Sequence, residues 1–182
     1  MLRKLYRKSY KRIFSTLNPI KYAQKIGVNF KNSSKVHIYG KVHWSTEPWL
    51  MTIGENVHIT NGVNFIGHDG GTLLFRDIVP DLEITKPITV GNDVYIGNNV
   101  IIMPGVTIGN KVIIGAGAIV TKDIPNNSVA VGIPARVIKT ADEYFEKIQR
   151  ESIHLGHLKG MEKDRALMEY YNYNGNSKGI YF

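Results

Sequence analysis

The sequence predicts a mainly β fold in which short strands wind into a solenoid of three-sided coils. Apolar residues recur at every sixth position after residue 88. A helix or a two-faced strand does not give this spacing, because their periods are 3.6 and 2 residues. Small residues after the apolar ones allow the chain to turn. Three such sides close a coil of about 18 residues, and stacked coils form parallel sheets around an apolar interior.

The repeat runs in two registers. The first contains Val90, Ile96, Ile102, Ile108, Ile114 and Val120, and the second contains Val94, Val100, Val106, Val112, Ala118 and Ile124. A weaker repeat with the same phase precedes them at Ile53, Ile59 and Phe65. Independent strands of a sandwich would not stay in phase over this length. These residues are therefore predicted to fill the solenoid.

Two segments interrupt the repeat. Residues 67–87, GHDGGTLLFRDIVPDLEITKP, do not continue the register and are predicted to leave the coil as a loop. A shorter break falls at residues 45–52, STEPWLMT. Long loops in compact domains are commonly functional, so the loop of residues 67–87 is a candidate site.

Composition limits the function further. The net charge of +8 comes from the first 46 residues, which contain eleven Lys or Arg and no Asp or Glu. The absence of cysteine excludes disulfides, thiolate metal ligands and a cysteine nucleophile. With no long apolar run and no secretory signal, a cytoplasmic protein is expected. Nucleic-acid binding is not expected, since no recognition motif accompanies the basic residues.

The chain is predicted to contain three segments. Residues 1–30 form a basic amphipathic helical segment, residues 31–139 the solenoid with its loop at 67–87, and residues 140–182 a helical extension and tail. The amino-terminal helix could lie on an anionic membrane surface, or its basic face could simply be solvated. The extension is predicted to begin a helix at Thr140, with acidic residues in the first turn, and a second helix at residues 161–171.

Residues 88–139, ITVGNDVYIGNNVIIMPGVTIGNKVIIGAGAIVTKDIPNNSVAVGIPARVIK, resemble the carboxy-terminal coils of the hexapeptide-repeat acyltransferases. They are most similar to the branch of maltose and galactoside O-acetyltransferases and capsular or lipopolysaccharide O-acetyltransferases. Residues 36–68 match more weakly. The resemblance implies a left-handed parallel β-helix, a homotrimer with active sites between subunits, acetyl-CoA as acyl donor and no metal.

The resemblance also implies a catalytic histidine at the start of the loop, which is His68 in FIGHDGG. Acetyl transfer to a hydroxyl needs a base for the hydroxyl proton, and an imidazole suits this task near neutral pH. Asp69 is a candidate for orienting the imidazole. Glu47 lies near the family's acidic residue that holds a sugar hydroxyl, but not in strict register. Trp44 and Trp49 could stack on a sugar or, alternatively, cover the open end of the solenoid.

Residues of the last coils match the positions with which family members bind coenzyme A. The resemblance assigns the pantetheine arm to Asn98, Ala116, Thr121 and Lys122, and the nucleotide phosphates to Arg136 and Lys139. Tyr95 stands where many relatives have tryptophan, so it is expected at the acetyl pocket.

The expected function is therefore acetyl-CoA-dependent O-acetylation of a saccharide in surface polysaccharide biosynthesis (capsule, lipopolysaccharide or exopolysaccharide). The acceptor could be lipid-linked at the inner face of the membrane. The first alternative is N-acetylation of a nucleotide-linked amino sugar. A metal hydratase similar to the gamma-type carbonic anhydrases is a second, but the pairs His37/His43 and His58/His68 do not reproduce its pattern of three histidines. An inactive scaffold is a third, and the presence of His68 argues against it.

Overall fold

Three parallel sheets form the sides of the solenoid. The computed structural model describes residues 14–173, and the chain divides into two compact units, Met1–Glu143 and Tyr144–Phe182. The strands described are β1 (Asn29–Phe30), β2 (Val36–Ile38), β3 (Met51–Ile53), β4 (Val57–Ile59), β5 (Asn64–Phe65), β6 (Ile88–Val90), β7 (Val94–Ile96), β8 (Ile101–Ile102), β9 (Thr107–Ile108), β10 (Val112–Ile114), β11 (Ile119–Val120), β12 (Ser128–Val131) and β13 (Arg136–Thr140). The helices described are α1 (Pro19–Ile26), α2 (Ala141–Glu151) and α3 (Gly160–Tyr170).

Strands from successive coils stack in a fixed order. Sheet A contains β1, β3, β6 and β9, sheet B contains β2, β4, β7, β10, β12 and β13, and sheet C contains β5, β8 and β11. All pairs are parallel except β12 with β13, which closes sheet B in the antiparallel sense. The predicted mainly β solenoid with parallel sheets is confirmed.

Sequence separation between paired strands shows where the coils are regular. Val94 of β7 pairs with Val112 of β10, 18 residues later, which is the predicted coil length. Val57 of β4 pairs with Val94, 37 residues later, because the long loop lies between these coils. Val36 of β2 pairs with Val57, 21 residues later, so the first described coil is also longer than 18 residues.

Both predicted registers point into the solenoid. All twelve of their residues, from Val90 to Ile124, are at most 5% exposed. The upstream residues Ile53, Ile59 and Phe65 are equally buried and belong to the same apolar core. Branched side chains at every sixth position therefore fill one continuous interior, which provides the main stabilisation of the fold.

Asparagines connect the coils at the corner between sheets A and B. Asn92 Oδ1 accepts from the Glu55 N–H at 2.9 Å, and Asn110 Oδ1 accepts from the Asn92 N–H at 2.8 Å. Neighbouring glycines bring the backbones close: a Cβ on Gly91 would lie 2.6 Å from the Gly109 carbonyl oxygen. The small residues of the repeat are thus required where coils contact each other directly.

The predicted loop is present and well organised. Its base is closed by two backbone hydrogen bonds, from Asp69 N to Ile84 O (2.9 Å) and from Lys86 N to Gly67 O (2.8 Å). A 3₁₀ helix covers Gly70–Phe75. The loop also has exposed apolar side chains, which are Leu73, Leu74, Phe75, Ile78, Val79 and Ile84.

The predicted basic helix of residues 2–14 lies outside the described residues, apart from Phe14. In the extension, α2 begins as predicted after Thr140, whose hydroxyl accepts from the Glu143 N–H (3.1 Å) while the Glu143 carboxylate accepts from the Thr140 N–H (2.7 Å). This reciprocal capping box defines the start of the helix. None of the helices within residues 14–173 has the length and apolar character needed to cross a membrane.

Candidate active site

The two interruptions of the repeat meet at one corner of the solenoid, between sheets C and A. The first interruption starts at Ser45, and the loop starts at Gly67, whose N–H donates to Ser45 Oγ at 3.1 Å. Glu47 and His68 are 21 residues apart, which is the same separation that relates β2 to β4. Because this coil is 21 residues long, three more than a regular coil, Glu47 does not follow the six-residue register, and yet it lies beside His68.

The imidazole of His68 lies within hydrogen-bond distance of the Glu47 carboxylate. Its Nδ1 lies 2.9 Å from Glu47 Oε2, and the Thr46 hydroxyl lies 3.3 Å from the same nitrogen. The His68 side chain is 39% exposed and the Glu47 side chain 25% exposed. The pair is thus partly shielded from water but accessible to a substrate.

Three side chains stabilise the negative charge of Glu47. Thr46 Oγ1 donates to Oε1 at 2.5 Å, and Ser45 Oγ donates to Oε2 at 2.8 Å. Together with His68, these hydrogen bonds lower the pKa of Glu47 from 4.5 to about 2, with Thr46 the largest contributor and partial burial opposing the shift. Glu47 is consequently ionised at every pH at which the protein would act.

An ionised Glu47 determines the tautomer of the imidazole. A carboxylate can only accept hydrogen bonds, so the 2.9 Å contact requires the proton on His68 Nδ1. In the neutral ring, Nε2 then has a free lone pair and can accept a proton. Glu47 would also stabilise the imidazolium that results, so the pair has the properties of a general base with its orienting carboxylate.

His68 and Glu47 line a polar cavity of about 250 Å³. The loop provides its other wall, which includes Asp69, Thr72, Leu73, Arg76 and Glu83. A larger cavity, of about 410 Å³, lies between α1 and the first coil, and it includes Tyr22, Lys41 and Trp44 but not the histidine–glutamate pair. We take the smaller cavity as the candidate active site because it contains the histidine–glutamate pair.

The side chains of Asp69 and of the two tryptophans make contacts other than with the imidazole of His68. Asp69 Oδ1 accepts from the Gly71 N–H at 2.9 Å and caps the 3₁₀ helix, so Glu47, not Asp69, contacts the imidazole. Trp44 stacks on Phe65 with ring centroids 4.7 Å apart and packs against the core. Trp49 is 58% exposed and is not among the described residues that line the smaller cavity.

The predicted coenzyme A residues lie along the last coils. Asn98 and Ala116 are exposed at the corner between sheets B and C, in successive coils, and the Gly117 N–H donates to the Asn98 carbonyl at 2.8 Å. Thr121 and Lys122 are exposed directly after β11, at the opposite end of sheet C.

The other three residues that were predicted to bind coenzyme A are on sheet B. Tyr95 points outward from β7 and is 44% exposed. Arg136 and Lys139 are on the antiparallel strand β13, where they pair with Val131 and Val129 of β12. The structure therefore brings all seven residues to the outer surface of the last coils, which is separate from the apolar interior.

Sequence reasoning missed four residues of the site. Ser45 and Thr46 hold the Glu47 carboxylate, and Arg76 and Glu83 form an ion pair in the cavity wall at 2.5 Å. Ser45 and Thr46 lie in the interrupted coil, whose length the six-residue repeat does not give, so their position beside His68 had no signal in the sequence. Arg76 and Glu83 lie in a non-periodic loop, and the sequence offers no indication for them either.

Replacing Glu47 by glutamine is expected to remove a pH-dependent part of the stability. A carboxylate whose pKa is lowered from 4.5 to about 2 stabilises the folded state above pH 4.5 and loses this effect as the pH falls towards 2. The difference in free energy of unfolding between wild type and Glu47→Gln should therefore be constant above about pH 6 and shrink between about pH 5 and pH 3. Urea unfolding at each pH measures it.

Thr46→Val is the matched variant for this experiment. It keeps the carboxylate but removes the largest cause of its lowered pKa, so it should lose part of the same acid-dependent stabilisation. A difference between wild type and Glu47→Gln that stays the same from pH 6 to pH 3 would contradict the hydrogen-bonded carboxylate described above.

Comparisons with known proteins agree with the architecture. The family described as bacterial transferase hexapeptide (six repeats) matches residues 87–122. Protein CapG of Staphylococcus aureus is 40% identical over 151 residues, which cover 83% of this chain and 88% of that protein. Galactoside O-acetyltransferase of Escherichia coli (strain K12) is 37% identical over 138 residues, covering 69% of this chain and 66% of the relative.

A solved structure is similar over most of the chain. The crystal structure of a maltose O-acetyltransferase from Clostridium difficile 630 superposes with a TM-score of 0.55 and 30% sequence identity, and the match covers 74% of this chain and 84% of that one. These similarities confirm the left-handed parallel β-helix and the acyltransferase class that the repeat and the resemblance predicted. The chain belongs to the hexapeptide-repeat acyltransferase family.

Proposed function

We propose that this protein transfers an acetyl group from acetyl-CoA to a hydroxyl of a saccharide, with His68 as the general base. The observation that carries the proposal is the contact of His68 Nδ1 with the ionised Glu47, at the wall of a polar cavity. This contact leaves Nε2 free to take a proton from a hydroxyl placed in the cavity.

The proposed transfer runs directly from the thioester to the acceptor hydroxyl and needs no covalent enzyme intermediate. The acceptor oxygen attacks the thioester carbonyl carbon while Nε2 of His68 removes the hydroxyl proton. The carbon–sulfur bond then breaks, and the departing thiolate takes the proton from the imidazolium. Glu47 stabilises the imidazolium between the two steps. The sequence contains no cysteine that could accept the acetyl group first.

The outer surface of the last coils fits the donor. Asn98 and Ala116 are small and exposed, so an extended pantetheine chain can lie against the backbone there. Arg136 and Lys139 supply cations for the phosphates, with the planar guanidinium well suited to phosphate oxygens. Relatives named as acetyltransferases support acetyl-CoA as the donor.

The polar lining of the cavity and the names of the relatives both favour a saccharide as the acceptor. Two similar proteins are named as a galactoside O-acetyltransferase and a maltose O-acetyltransferase, and both of these acceptors offer sugar hydroxyls. We assign the reaction to surface polysaccharide biosynthesis in the cytoplasm, including lipid-linked precursors at the membrane. The basic segment of residues 2–14 would hold the enzyme there.

We further propose that the enzyme is a homotrimer with its active sites between subunits. The loop that lines the catalytic cavity through Leu73 and Arg76 also exposes apolar side chains, among them Leu74 (77%) and Ile78 (78%). Exposed apolar surface of this kind is typical of a protein interface. A neighbouring subunit packed on the loop would cover it and complete the cavity.

The proposed function is tested by thiol release from acetyl-CoA in the presence of a panel of mono- and oligosaccharides. An acetylated sugar whose acetyl group is removed by mild alkali identifies an ester and supports O-acetylation. An alkali-stable product formed only from amino sugars would instead establish N-acetylation, and the absence of any acetylated product would contradict acetyl transfer to a saccharide.

Replacing Glu47 by glutamine is expected to lower kcat by about tenfold to a hundredfold. The amide keeps the shape of the side chain but removes the charge that stabilises the imidazolium. KM for acetyl-CoA should not change, because Glu47 lies at the loop corner and not on the last coils. Thr46→Val, which keeps the carboxylate, should lower kcat less. A Glu47→Gln enzyme with wild-type kcat would contradict the role of Glu47.

A further inference from the structure

An ion pair from the loop forms the wall of the catalytic cavity next to His68. Arg76 donates through its guanidinium to Glu83 Oε2 at 2.5 Å and through Nε to the Leu82 carbonyl at 3.1 Å. The Thr85 hydroxyl donates to the other carboxylate oxygen of Glu83 at 2.5 Å. Arg76 and Glu83 both line the cavity, with side chains 39% and 53% exposed, so an acceptor bound there would lie beside them.

This pairing affects the charge that this subunit presents to an acceptor. Among the residues that line the described cavity, Arg76 is the one permanent cation, and Glu47, Asp69 and Glu83 are acidic. The guanidinium is already bonded to Glu83, so its charge is offset and its hydrogen-bond donors are partly used. A carboxylate or phosphate on the acceptor would therefore face negative charge without a free cation to receive it.

We propose that the Arg76–Glu83 pair makes the enzyme selective for uncharged saccharides, with Glu83 as the specificity-determining residue. The proposal rests on the proposed acetyl transfer at His68 and adds the chemical class of the acceptor. Selectivity here comes from the pairing itself: Glu83 offsets the one cation that could receive an anionic sugar, and the other carboxylates of the cavity, Glu47 and Asp69, act against such a sugar. A neutral sugar can donate its hydroxyls to the same carboxylates.

The test compares two acceptors that have the same hydroxyls and differ only in charge, methyl galacturonide and its uncharged amide, methyl galacturonamide. The measured quantity is the ratio of kcat/KM for the neutral sugar to that for the anionic sugar. In the wild type this ratio is expected to be about ten or more, the size of the effect of one unfavourable charge in a partly exposed site.

Two variants should move this ratio in opposite directions. Glu83→Gln frees the charge of Arg76, which can then receive the carboxylate of the anionic sugar, so the ratio should fall several-fold. Arg76→Gln leaves Glu83 without its cation, so the ratio should rise. A general disturbance of the loop would instead lower the activity on both sugars and shift the ratio in one direction only. Glu55→Gln is the matched control, because it breaks an exposed ion pair with Lys35 (2.9 Å) away from the cavity and should leave the ratio unchanged.

The outcomes separate this inference from the function on which it rests. A wild-type ratio near one, or ratios that move in the same direction in Glu83→Gln and Arg76→Gln, would overturn the charge selectivity while acetyl transfer stands. If neither sugar nor any other saccharide is acetylated, the proposed function fails, and the selectivity fails with it.

Discussion

Replacement of His68 by alanine is expected to lower kcat for acetyl transfer by about 10²- to 10⁴-fold. Alanine cannot accept the proton of the attacking hydroxyl, and no other described side chain of the cavity is an imidazole. Glu47 cannot take over, since its pKa of about 2 makes it a weak base at neutral pH. Thiol release at saturating acetyl-CoA and acceptor measures the effect.

Binding of acetyl-CoA separates loss of catalysis from loss of structure. His68 lies at the loop corner, apart from the last coils that we assign to the donor, so the variant should bind acetyl-CoA with nearly wild-type affinity in calorimetric titration. His157→Ala, an exposed histidine of the second unit, is the matched control and should retain full activity. If His68→Ala keeps kcat within a factor of three of the wild type, His68 is not the base.

Replacement of Phe65 by alanine is expected to destabilise the fold by about 3–5 kcal/mol. Phe65 is 1% exposed, belongs to the continuous core and stacks on Trp44 at 4.7 Å. Its removal would leave a cavity at the point where the irregular first coils join the regular ones. Denaturant unfolding at a fixed protein concentration gives the free energy, since subunit association also affects stability.

Phe145→Ala provides the matched comparison, because Phe145 is 54% exposed in α2. The same chemical change should cost less than about 1 kcal/mol there, since little buried surface is lost. Phe65→Leu should fall between the two, as leucine fills part of the space. Equal effects of Phe65→Ala and Phe145→Ala would contradict the assignment of Phe65 to the core.

The regular part of the fold could be predicted from the sequence because every coil repeats the same physical requirement. Each side needs one buried branched residue, so the period directly reports which residues point inward. Val94, Val100 and Val112 were predicted as core residues and are buried. A strict six-residue repeat leaves few alternatives, since helices and ordinary strands have other periods.

The candidate site was predicted only in part, because it lies where the repeat fails. The resemblance to the hexapeptide-repeat acyltransferases assigned a catalytic histidine to the start of the loop, which is His68, and the structure places His68 in a polar cavity. Its contact with Glu47 was not predicted, since the length of an interrupted coil cannot be read from a six-residue repeat. The Arg76–Glu83 pair depends on how the loop folds back on itself, which no periodic pattern reports.

The closed base of the loop has a consequence for how this scaffold can be altered. Two backbone hydrogen bonds join the loop's ends, and the chain re-enters the solenoid in register, so the coils do not depend on the length of the segment between them. Lengthening a flexible loop costs little, about 0.6 kcal/mol for each doubling. The donor recognition that we propose on the last coils and the acceptor recognition that we propose in the loop cavity would therefore be modular. Substitutions at the cavity-lining residues of the loop, such as Leu73 and Arg76, are therefore the place to redirect the enzyme towards a new acceptor, while the exposed Leu74 and Ile78 are kept for the proposed subunit interface.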